Sequence, residues 1–397
     1  MNMLDYMEWR GDLSFKVSPF NDVDAMILSQ LAGVDYTGIV DKAVNVDLLN
    51  PKEMKRVTLR EVAKQYKMVL AEPNRKVDFE ESDNKKLLLD AVGNSVRFGD
   101  IEMSAFIRDT DVEAVKQFSA VTFFLPRRVR FIAFRGTDGS VTSWKENFNM
   151  AYLLPFPAER DALVYLEKMS KGFFVKTIIG GHSKGGNLAL YSGYFSDEKT
   201  RKKIKKVYCF DGPGFCEDPE TFPGYEDIKE KIVAYIPQSS VVGRILNAEQ
   251  PAMIVKSNGL GIGTHSMFTW QITGTTFVAE NTTDEYSNKT KELLDNWISQ
   301  VERKERKALI EEVFAVLGKN DIHNAEDFAG LGVKQLPKFI MDVLSLSQPN
   351  KELLLSIIKE SFSPELLKGF LHLPEFHILS RRQPRQDTEE CEDEDRS

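Results

Sequence analysis

Hydrophobic residues in the middle of the chain occur in short runs that alternate with helical patterns. Runs rich in β-branched and aromatic residues predict strands at 118–125, 129–134, 207–210, 232–235 and 253–255. The first two runs are separated by Pro126-Arg127-Arg128, which predicts a hairpin turn. Helical patterns occur at 84–97 and again from about residue 158. Strands that alternate with helices in this way predict the α/β class, with a mostly parallel sheet covered by helices on both faces.

The two ends of the chain show helical periodicity without strand patterns. A helix is predicted after Asn21 or Asp22, either of which can cap it, and another at 51–70. From about residue 288 the pattern is again helical, and the last residues are acidic with almost no apolar side chains. We therefore predict a helical N-terminal segment packed on the core (1–82), an α/β core (83–285), a helical C-terminal region (286–379) and a disordered acidic tail (380–397).

Composition narrows the class of protein. The chain has 397 residues, of which 42% are hydrophobic and 28% charged, enough for a large core with an added subdomain. A net charge of -8 gives no reason to expect a nucleic-acid partner. We expect no transmembrane segment and no signal peptide, because no apolar run is long enough and acidic residues interrupt the first residues. Cys209, Cys216 and Cys391 lack metal-binding spacing, which favours a reduced, cytoplasmic compartment and no metal site.

The stretch "FFVKTIIGGHSKGGNLALYSGYF" changes abruptly from an apolar run to glycines and then to a helical pattern. Residues 173–179 predict a buried strand, and a buried helix follows the glycines. Between them, Gly181-x-Ser183-x-Gly185 is typical of a nucleophile elbow, in which the serine projects from the sheet edge beside a helix N-terminus. A phosphate-binding loop would need Gly-Lys followed by Ser or Thr, whereas Lys184 precedes a glycine. Ser183 is therefore the predicted nucleophile.

A serine nucleophile needs a base that takes its proton. Of the five histidines, His182 adjoins the nucleophile and is expected to project away from it, while His323, His372 and His377 lie in the helical region. His265 lies in the glycine-rich loop "SNGLGIGTHSMFTW", after the last predicted strand. In hydrolases that carry a nucleophile elbow, the serine comes before the histidine along the chain. Because His265 follows Ser183 in that order, it is the predicted base.

The acid that orients the base is harder to assign. Its usual position, after the strand at 232–235, reads "IPQSSV" and contains no carboxylate. Asp211 follows the preceding strand and opens "DGPG", so its side chain would emerge at the same carboxyl edge of the sheet as Ser183. We predict Asp211 as the acid. The alternative is that Asp211 only shapes its turn and that Ser183 and His265 act as a dyad.

The oxyanion donors are expected at the end of an earlier strand, in "RFIAFRGTDGSVTSW". Gly136 would let the backbone approach closely, and Thr137 would offer its N–H and hydroxyl together with the N–H of Lys184. The alternative is an ordinary surface turn. The apolar loop at 147–157 is interpreted either as a lining or lid of the acyl pocket or as simple packing on the sheet.

These motifs resemble those of the class 3, fungal-type triacylglycerol lipases. The likeness lies in the oxyanion loop "FRGTDGSVTSW", the elbow "GGHSKGGNLA" and the histidine region "THSMFTW", and it covers roughly residues 85–275. It implies an α/β-hydrolase sheet with the nucleophile, base and oxyanion contacts already named. The opening "WRGDLSF…PFNDVDAMILSQL" resembles an uncharacterised bacterial family built on that fold. The chain departs from the lipase pattern at Ser240, which occupies the place of the lipase aspartate.

The sequence therefore predicts a serine hydrolase, an esterase or lipase-like enzyme that forms an acyl-enzyme on Ser183 and needs no cofactor. Its substrate would be a small-molecule acyl ester or a lipid. A serine peptidase or thioesterase would use the same machinery. A non-catalytic hydrolase-fold interaction protein is the remaining alternative, with the helical C-terminal region as the surface for a protein partner. The missing carboxylate after residues 232–235 is the main support for that alternative.

Overall fold

The computed structural model describes residues 1–70, 82–248 and 251–323, with isolated positions between 327 and 346. The predicted acidic tail and most of the C-terminal region beyond 323 lie outside the described residues. The helices are α1 (Met3–Arg10), α2 (Asp22–Leu31), α3 (Leu59–Leu70), α4 (Asp83–Asn94), α5 (Val141–Asn149), α6 (Pro157–Met169), α7 (Lys184–Phe195), α8 (Glu198–Lys203), α9 (Tyr225–Ile228), α10 (Glu285–Gln300) and α11 (Arg303–Lys319). The strands are β1 (Lys42–Ala43), β2 (Val57–Thr58), β3 (Glu102–Asp111), β4 (Lys116–Leu125), β5 (Val129–Phe134), β6 (Lys176–His182), β7 (Ile204–Phe210), β8 (Ile232–Pro237), β9 (Ala252–Val255), β10 (Ile272–Thr273) and β11 (Thr276–Phe277).

The main sheet has nine strands in the order β1-β3-β4-β5-β6-β7-β8-β9, with β2 beside β3. Strands β5 to β9 pair in parallel, whereas β3, β4 and β5 form an antiparallel meander. The turn predicted between β4 and β5 is confirmed, and Arg127 and Arg128 both have positive φ, at 61° and 59°. Consecutive positive φ values are typical of the turns that match the twist of a hairpin.

Side chains alternate between the two faces of the sheet and form a separate hydrophobic cluster on each. Phe131 and Tyr208 contribute to the cluster under α1 to α4, whereas Ile132 and Val207 contribute to the cluster under α6 and α7. The predicted fold class, a mostly parallel sheet with helices on both faces, is therefore confirmed. The boundaries proposed between its segments remain predictions.

A buried arginine ties the N-terminal segment to the rest of the chain. Arg97 has no exposed side-chain surface and donates from Nε to Asp24 on α2 over 2.7 Å. Its other nitrogens donate to the carbonyl oxygens of Leu13, Ser18 and Pro19, at 3.0, 3.1 and 3.2 Å. Because a buried guanidinium is costly unless every donor is used, these bonds fix the loop before α2.

Helix α2 is also bonded to the sheet itself. The Asp22 carboxylate accepts hydrogen bonds from the hydroxyls of Tyr208 on β7 and Tyr235 on β8, at 2.6 and 2.7 Å. These bonds, together with the Arg97 cluster, place α2 across the sheet close to the carboxyl end of β6. The position of α2 decides which of its residues reach the candidate site.

Three local predictions are wrong. The helix expected at 51–70 begins at Leu59, because Val57 and Thr58 pair with β3 as a short strand. Strand β3 itself was not predicted. Phe173 and Phe174 were expected in a buried strand but are 90% and 81% exposed, since β6 starts at Lys176, where its pairing with β5 begins.

Candidate active site

Ser183 occupies a sharp turn between β6 and α7. Its φ of 56° and ψ of -130° lie in a region that residues with a side chain rarely adopt, as expected for a nucleophile elbow. A Cβ on Gly181 would lie 2.7 Å from the Phe134 carbonyl oxygen, and one on Gly185 would overlap the same peptide group. Glycine at these two positions therefore lets the elbow pass directly against the end of β5.

Asp211 and His265 are brought together at the carboxyl edge of the sheet. Oδ2 of Asp211 lies 2.6 Å from Nδ1 of His265, and the carboxylate is completely buried. Oδ1 accepts hydrogen bonds from the backbone N–H of Gly243, at 3.1 Å, and from the hydroxyl of Ser240. Because a carboxylate accepts, Nδ1 of His265 donates, which leaves Nε2 of the neutral ring as the acceptor. The aspartate predicted from the end of β7 thus contacts the predicted base.

Ser183 and His265 line the same cavity, which has a volume of about 190 Å³. Its lining consists of Ser29, Gln30, Gly33, Lys85, Arg135, Gly136, Thr137, His182, Ser183 and His265. Within the described residues, no hydrogen bond joins the Ser183 hydroxyl to the His265 ring. Such bonds are often long in unliganded hydrolases and shorten when substrate binds. The geometry therefore places the predicted nucleophile and the predicted base at one cavity without a direct hydrogen bond.

The predicted oxyanion loop lies against the elbow. A Cβ on Gly136 would be 2.7 Å from the His182 carbonyl oxygen and 3.3 Å from the Ser183 Cβ, so glycine allows this close approach. Thr137 lines the cavity, and its Oγ1 accepts a hydrogen bond from Asn147 Nδ2 over 2.7 Å. Asn147 of α5 therefore holds the loop at Thr137, and Gly136 brings the backbone of the loop close to Ser183.

Lys184 is the first residue of α7, so its backbone N–H has no intrahelical acceptor and is available as the second predicted donor. Its side chain was not assigned from the sequence and is buried. Nζ donates to Glu146 Oε2 over 2.6 Å and to the carbonyl and side-chain oxygens of Gln117, both at 2.8 Å. Glu146 also accepts from the Ala158 N–H at 3.2 Å. This buried ion pair joins the elbow to α5, the helix that follows the oxyanion loop.

His182 does not project away from the site, and that expectation is wrong. Its ring lies 4.4 Å from the His265 ring, centroid to centroid, and its Nε2 is 2.7 Å from the His265 carbonyl oxygen. A carbonyl oxygen only accepts, so Nε2 of His182 carries the proton. Desolvation, followed by the nearby His265 ring, holds the pKa of His182 well below its ordinary value. His182 is therefore a neutral donor that supports the backbone of the predicted base.

The loop at 147–157 contributes no residue to this cavity. Met150, Ala151 and Phe156 are buried, and Phe148 packs on Phe314 of α11 with ring centroids 5.9 Å apart. These contacts favour the interpretation of the loop as packing. Across the described residues there is no cluster of histidine, cysteine or carboxylate side chains that could hold a metal ion. No described helix has the length and apolarity needed to cross a membrane.

The sheet topology and the elbow at its carboxyl edge define a protein with an α/β-hydrolase-type fold. The chain belongs to the Mbeg1-like family, whose sequence profile matches residues 92–315. Two solved structures are similar in part. A lipase of Rhizomucor miehei in complex with its propeptide aligns over 57% of this chain and 79% of its own, with 15% identity and a TM-score of 0.31. The M37 lipase aligns over 56% and 68%, with 12% identity and a TM-score of 0.30. No curated protein matches the sequence.

Proposed function

We propose that the protein is a serine hydrolase that cleaves carboxylic esters, with Ser183 as nucleophile, His265 as base and Asp211 as the acid that orients the base. The observation that carries this proposal is the 2.6 Å contact between Asp211 and His265 beside a serine held in a strained turn. Backbone strain at a serine and a buried carboxylate against a histidine are each uncommon. Their occurrence at one cavity favours a catalytic explanation over packing.

The chemistry begins when the Ser183 hydroxyl attacks the ester carbonyl and His265 Nε2 takes its proton. The tetrahedral intermediate collapses, the alcohol leaves with the proton from His265, and an acyl-enzyme remains on Ser183. Water then repeats the sequence and releases the acid. Asp211 accepts from Nδ1 throughout, which keeps the ring in the correct tautomer and stabilises the imidazolium.

The oxyanion of the tetrahedral intermediate would be bound by the backbone N–H groups of Thr137 and Lys184. The Thr137 loop lies against the elbow through Gly136, and Lys184 opens α7, whose N-terminal end favours negative charge. Loss of one such donor typically raises the barrier by about 3 kcal/mol. The Lys184–Glu146 pair would hold these two donors at a fixed separation.

The sequence also predicts two alternative functions, and the contacts at the site bear on only one of them. A peptidase or thioesterase would need the same residues, so only substrate tests separate them from an esterase. The non-catalytic alternative relied on the missing carboxylate after β8. Asp211 supplies a carboxylate to His265 from the end of β7, so that feature no longer favours a non-catalytic protein.

The direct test is labelling with a fluorophosphonate probe, which reacts with activated serines. We expect the wild type to be labelled and Ser183→Ala to remain unlabelled. Ser266→Ala is the matched control, because Ser266 is exposed and directly follows His265, and this variant should label like the wild type. A wild-type protein that is folded but not labelled would contradict the proposed function and favour the non-catalytic alternative.

A further inference from the structure

Two adjacent phenylalanines are exposed at the amino edge of the sheet, where the parallel strands begin. Phe173 and Phe174 lie in the loop 171–175 between α6 and β6, which we call the phenylalanine loop. They are 90% and 81% exposed, whereas no other phenylalanine is exposed in the part of the chain whose burial the structure describes. Scattered exposed apolar side chains are ordinary, but a contiguous exposed apolar surface indicates a site of interaction.

The backbone of the phenylalanine loop is held in place by two basic side chains. Nη1 of Arg130 donates to the Lys171 carbonyl oxygen over 3.0 Å. Nζ of Lys203 donates to the Gly172 carbonyl oxygen over 3.2 Å. Phe174 has a positive φ of 59°, which costs free energy, and its exposed side chain gains no burial in return. The fold therefore stabilises an arrangement that exposes both phenylalanines.

Exposed basic residues surround the two phenylalanines. Lys171 and Lys176 flank them in the sequence, and Arg127 and Arg128 lie in the hairpin turn between β4 and β5. The two segments are adjacent, because the Lys176 N–H donates to the Arg128 carbonyl oxygen over 3.2 Å and the Arg128 guanidinium lies 6.0 Å from the centre of the Phe174 ring. Within the described residues none of these four side chains forms an ion pair, and neither segment contains an acidic residue. We call these four residues the basic rim.

The combination of an aromatic tip and a basic rim fits one kind of partner best. An anionic lipid surface offers phosphates to basic side chains and an apolar layer just beneath them to aromatic rings. A nucleic-acid duplex would satisfy the charges but would leave the aromatic side chains in water. The net charge of -8 does not prevent binding to such a surface, because charges act over only about 8 Å at physiological ionic strength.

We propose that the phenylalanine loop and the basic rim bind the surface of membranes that contain anionic lipids. The two aromatic rings would enter the boundary between headgroups and acyl chains, while the rim contacts the headgroup phosphates. Strand β6 runs seven residues from this loop to the elbow, so Ser183 lies about 20 Å from the bound face. The cavity beside Ser183 would therefore lie on the side of the protein away from the bilayer. The inference does not depend on the proposed function, since it needs no catalysis.

The first experiment measures co-sedimentation of the full-length protein with large vesicles. One set contains phosphatidylcholine alone, and the other contains equal parts of phosphatidylcholine and phosphatidylglycerol. We expect binding to the anionic vesicles to be at least about tenfold tighter and to weaken as salt is added. Phe173→Ser combined with Phe174→Ser should weaken binding to the anionic vesicles at least about tenfold. Circular dichroism checks that each variant is folded.

Val112→Ser is the matched control for the loss of exposed apolar surface. Val112 is 73% exposed, but it lies between Asp111 and Glu113 in the turn between β3 and β4, at the opposite edge of the sheet. An anionic surface would repel this turn. The variant should therefore bind the anionic vesicles as the wild type does.

Arg127→Gln combined with Lys171→Gln tests the basic rim. Each basic residue near an anionic surface contributes about fivefold to binding, so the pair should weaken binding at least about tenfold. Lys289→Gln combined with Lys304→Gln is the control, because it changes the net charge equally. Each of these two lysines is paired with a nearby glutamate, and binding should match that of the wild type.

Phe173→Trp distinguishes insertion from surface attraction. Its emission, taken as the difference from the four native tryptophans, should shift to the blue with anionic vesicles. An unshifted emission would overturn the insertion of the loop. The proposal is also overturned if the folded wild type does not bind anionic vesicles, or if either double variant of the loop or rim binds them as tightly as the wild type. A dimer that the two phenylalanine substitutions abolish, without vesicle binding, would assign the loop to a protein interface instead.

Discussion

The contact between Asp211 and His265 gives the sharpest test of the proposed mechanism. Asp211→Asn keeps the shape of the side chain but removes its charge. The amide oxygen can still accept from Gly243 and Ser240, so the turn should keep its structure. The His265 ring, however, would lose a charged acceptor at 2.6 Å, and the amide can hold the wrong tautomer.

The expected size of the effect follows from the burial of the pair. The Asp211 side chain has 0% exposed surface, and its oxygen lies 2.6 Å from the ring nitrogen that becomes positive in the transition state. Two unit charges about 4 Å apart attract by about 4 kcal/mol at an effective dielectric constant of ~20. Loss of ~4 kcal/mol of transition-state stabilisation lowers the rate about a thousandfold.

The assay is kcat/KM for 4-nitrophenyl butyrate, with circular dichroism and thermal unfolding as controls for folding. Ser240→Ala is the matched control, because it removes one hydrogen bond to Asp211 and leaves the one from Gly243. That variant should lose about fivefold in kcat/KM, which corresponds to roughly 1 kcal/mol for one hydrogen bond. A folded Asp211→Asn protein within about threefold of the wild type would refute the triad and favour the dyad of Ser183 and His265.

Two further predictions concern the residues that flank Ser183. Lys184→Met should lower the free energy of unfolding by about 3–5 kcal/mol, because Glu146 stays buried without its partner. Adding Glu146→Gln should restore part of that loss. Urea unfolding of the single and double variants measures both effects, and strictly additive losses of stability would contradict the prediction. His182 has a pKa below its ordinary value of about 6.5, so the unfolded chain binds more protons than the native state below that pH, and native stability falls as the solution is acidified. His182→Gln should flatten this decline below pH ~6.5, and equal slopes for variant and wild type in urea unfolding would count against it.

The parts of the fold that could be predicted from the sequence are those with a local pattern. Strands β4 to β9 have compact apolar runs, and the turn between β4 and β5 has its own residues. Strand β3 was missed because its alternation is interrupted where the register shifts between Ser104 and Ile107, with Ala105 at a positive φ of 60°. The exposure of Phe173 and Phe174 depends on where the neighbouring strand begins, which their own sequence does not encode.

The candidate site likewise has some residues with a local sequence signal and others without one. The elbow serine and its glycines share one short motif, and the chain order pointed to His265. The partner of Lys184 could not be found, because Glu146 is 38 residues away and no local spacing links them. The contact of His182 with His265 spans 83 residues. The cavity walls from α2 and α4 were equally out of reach, since they depend on how the N-terminal segment packs across the sheet.

The position of the Asp211 carboxylate explains why both a triad and a dyad are compatible with the sequence. Strands β7 and β8 are parallel neighbours, and neighbouring strands lie about 4.8 Å apart. The backbone N–H of Asp211 donates to the Tyr235 carbonyl over 2.8 Å, so the ends of the two strands stay in register. A carboxylate moved from one strand end to the next therefore remains within reach of the same histidine. Ser240 occupies the place where the lipases that the sequence resembles carry their aspartate. Its hydroxyl donates a hydrogen bond to the Asp211 carboxylate. An absent aspartate at the usual strand is consequently compatible with a complete triad, provided that the neighbouring strand supplies the acid.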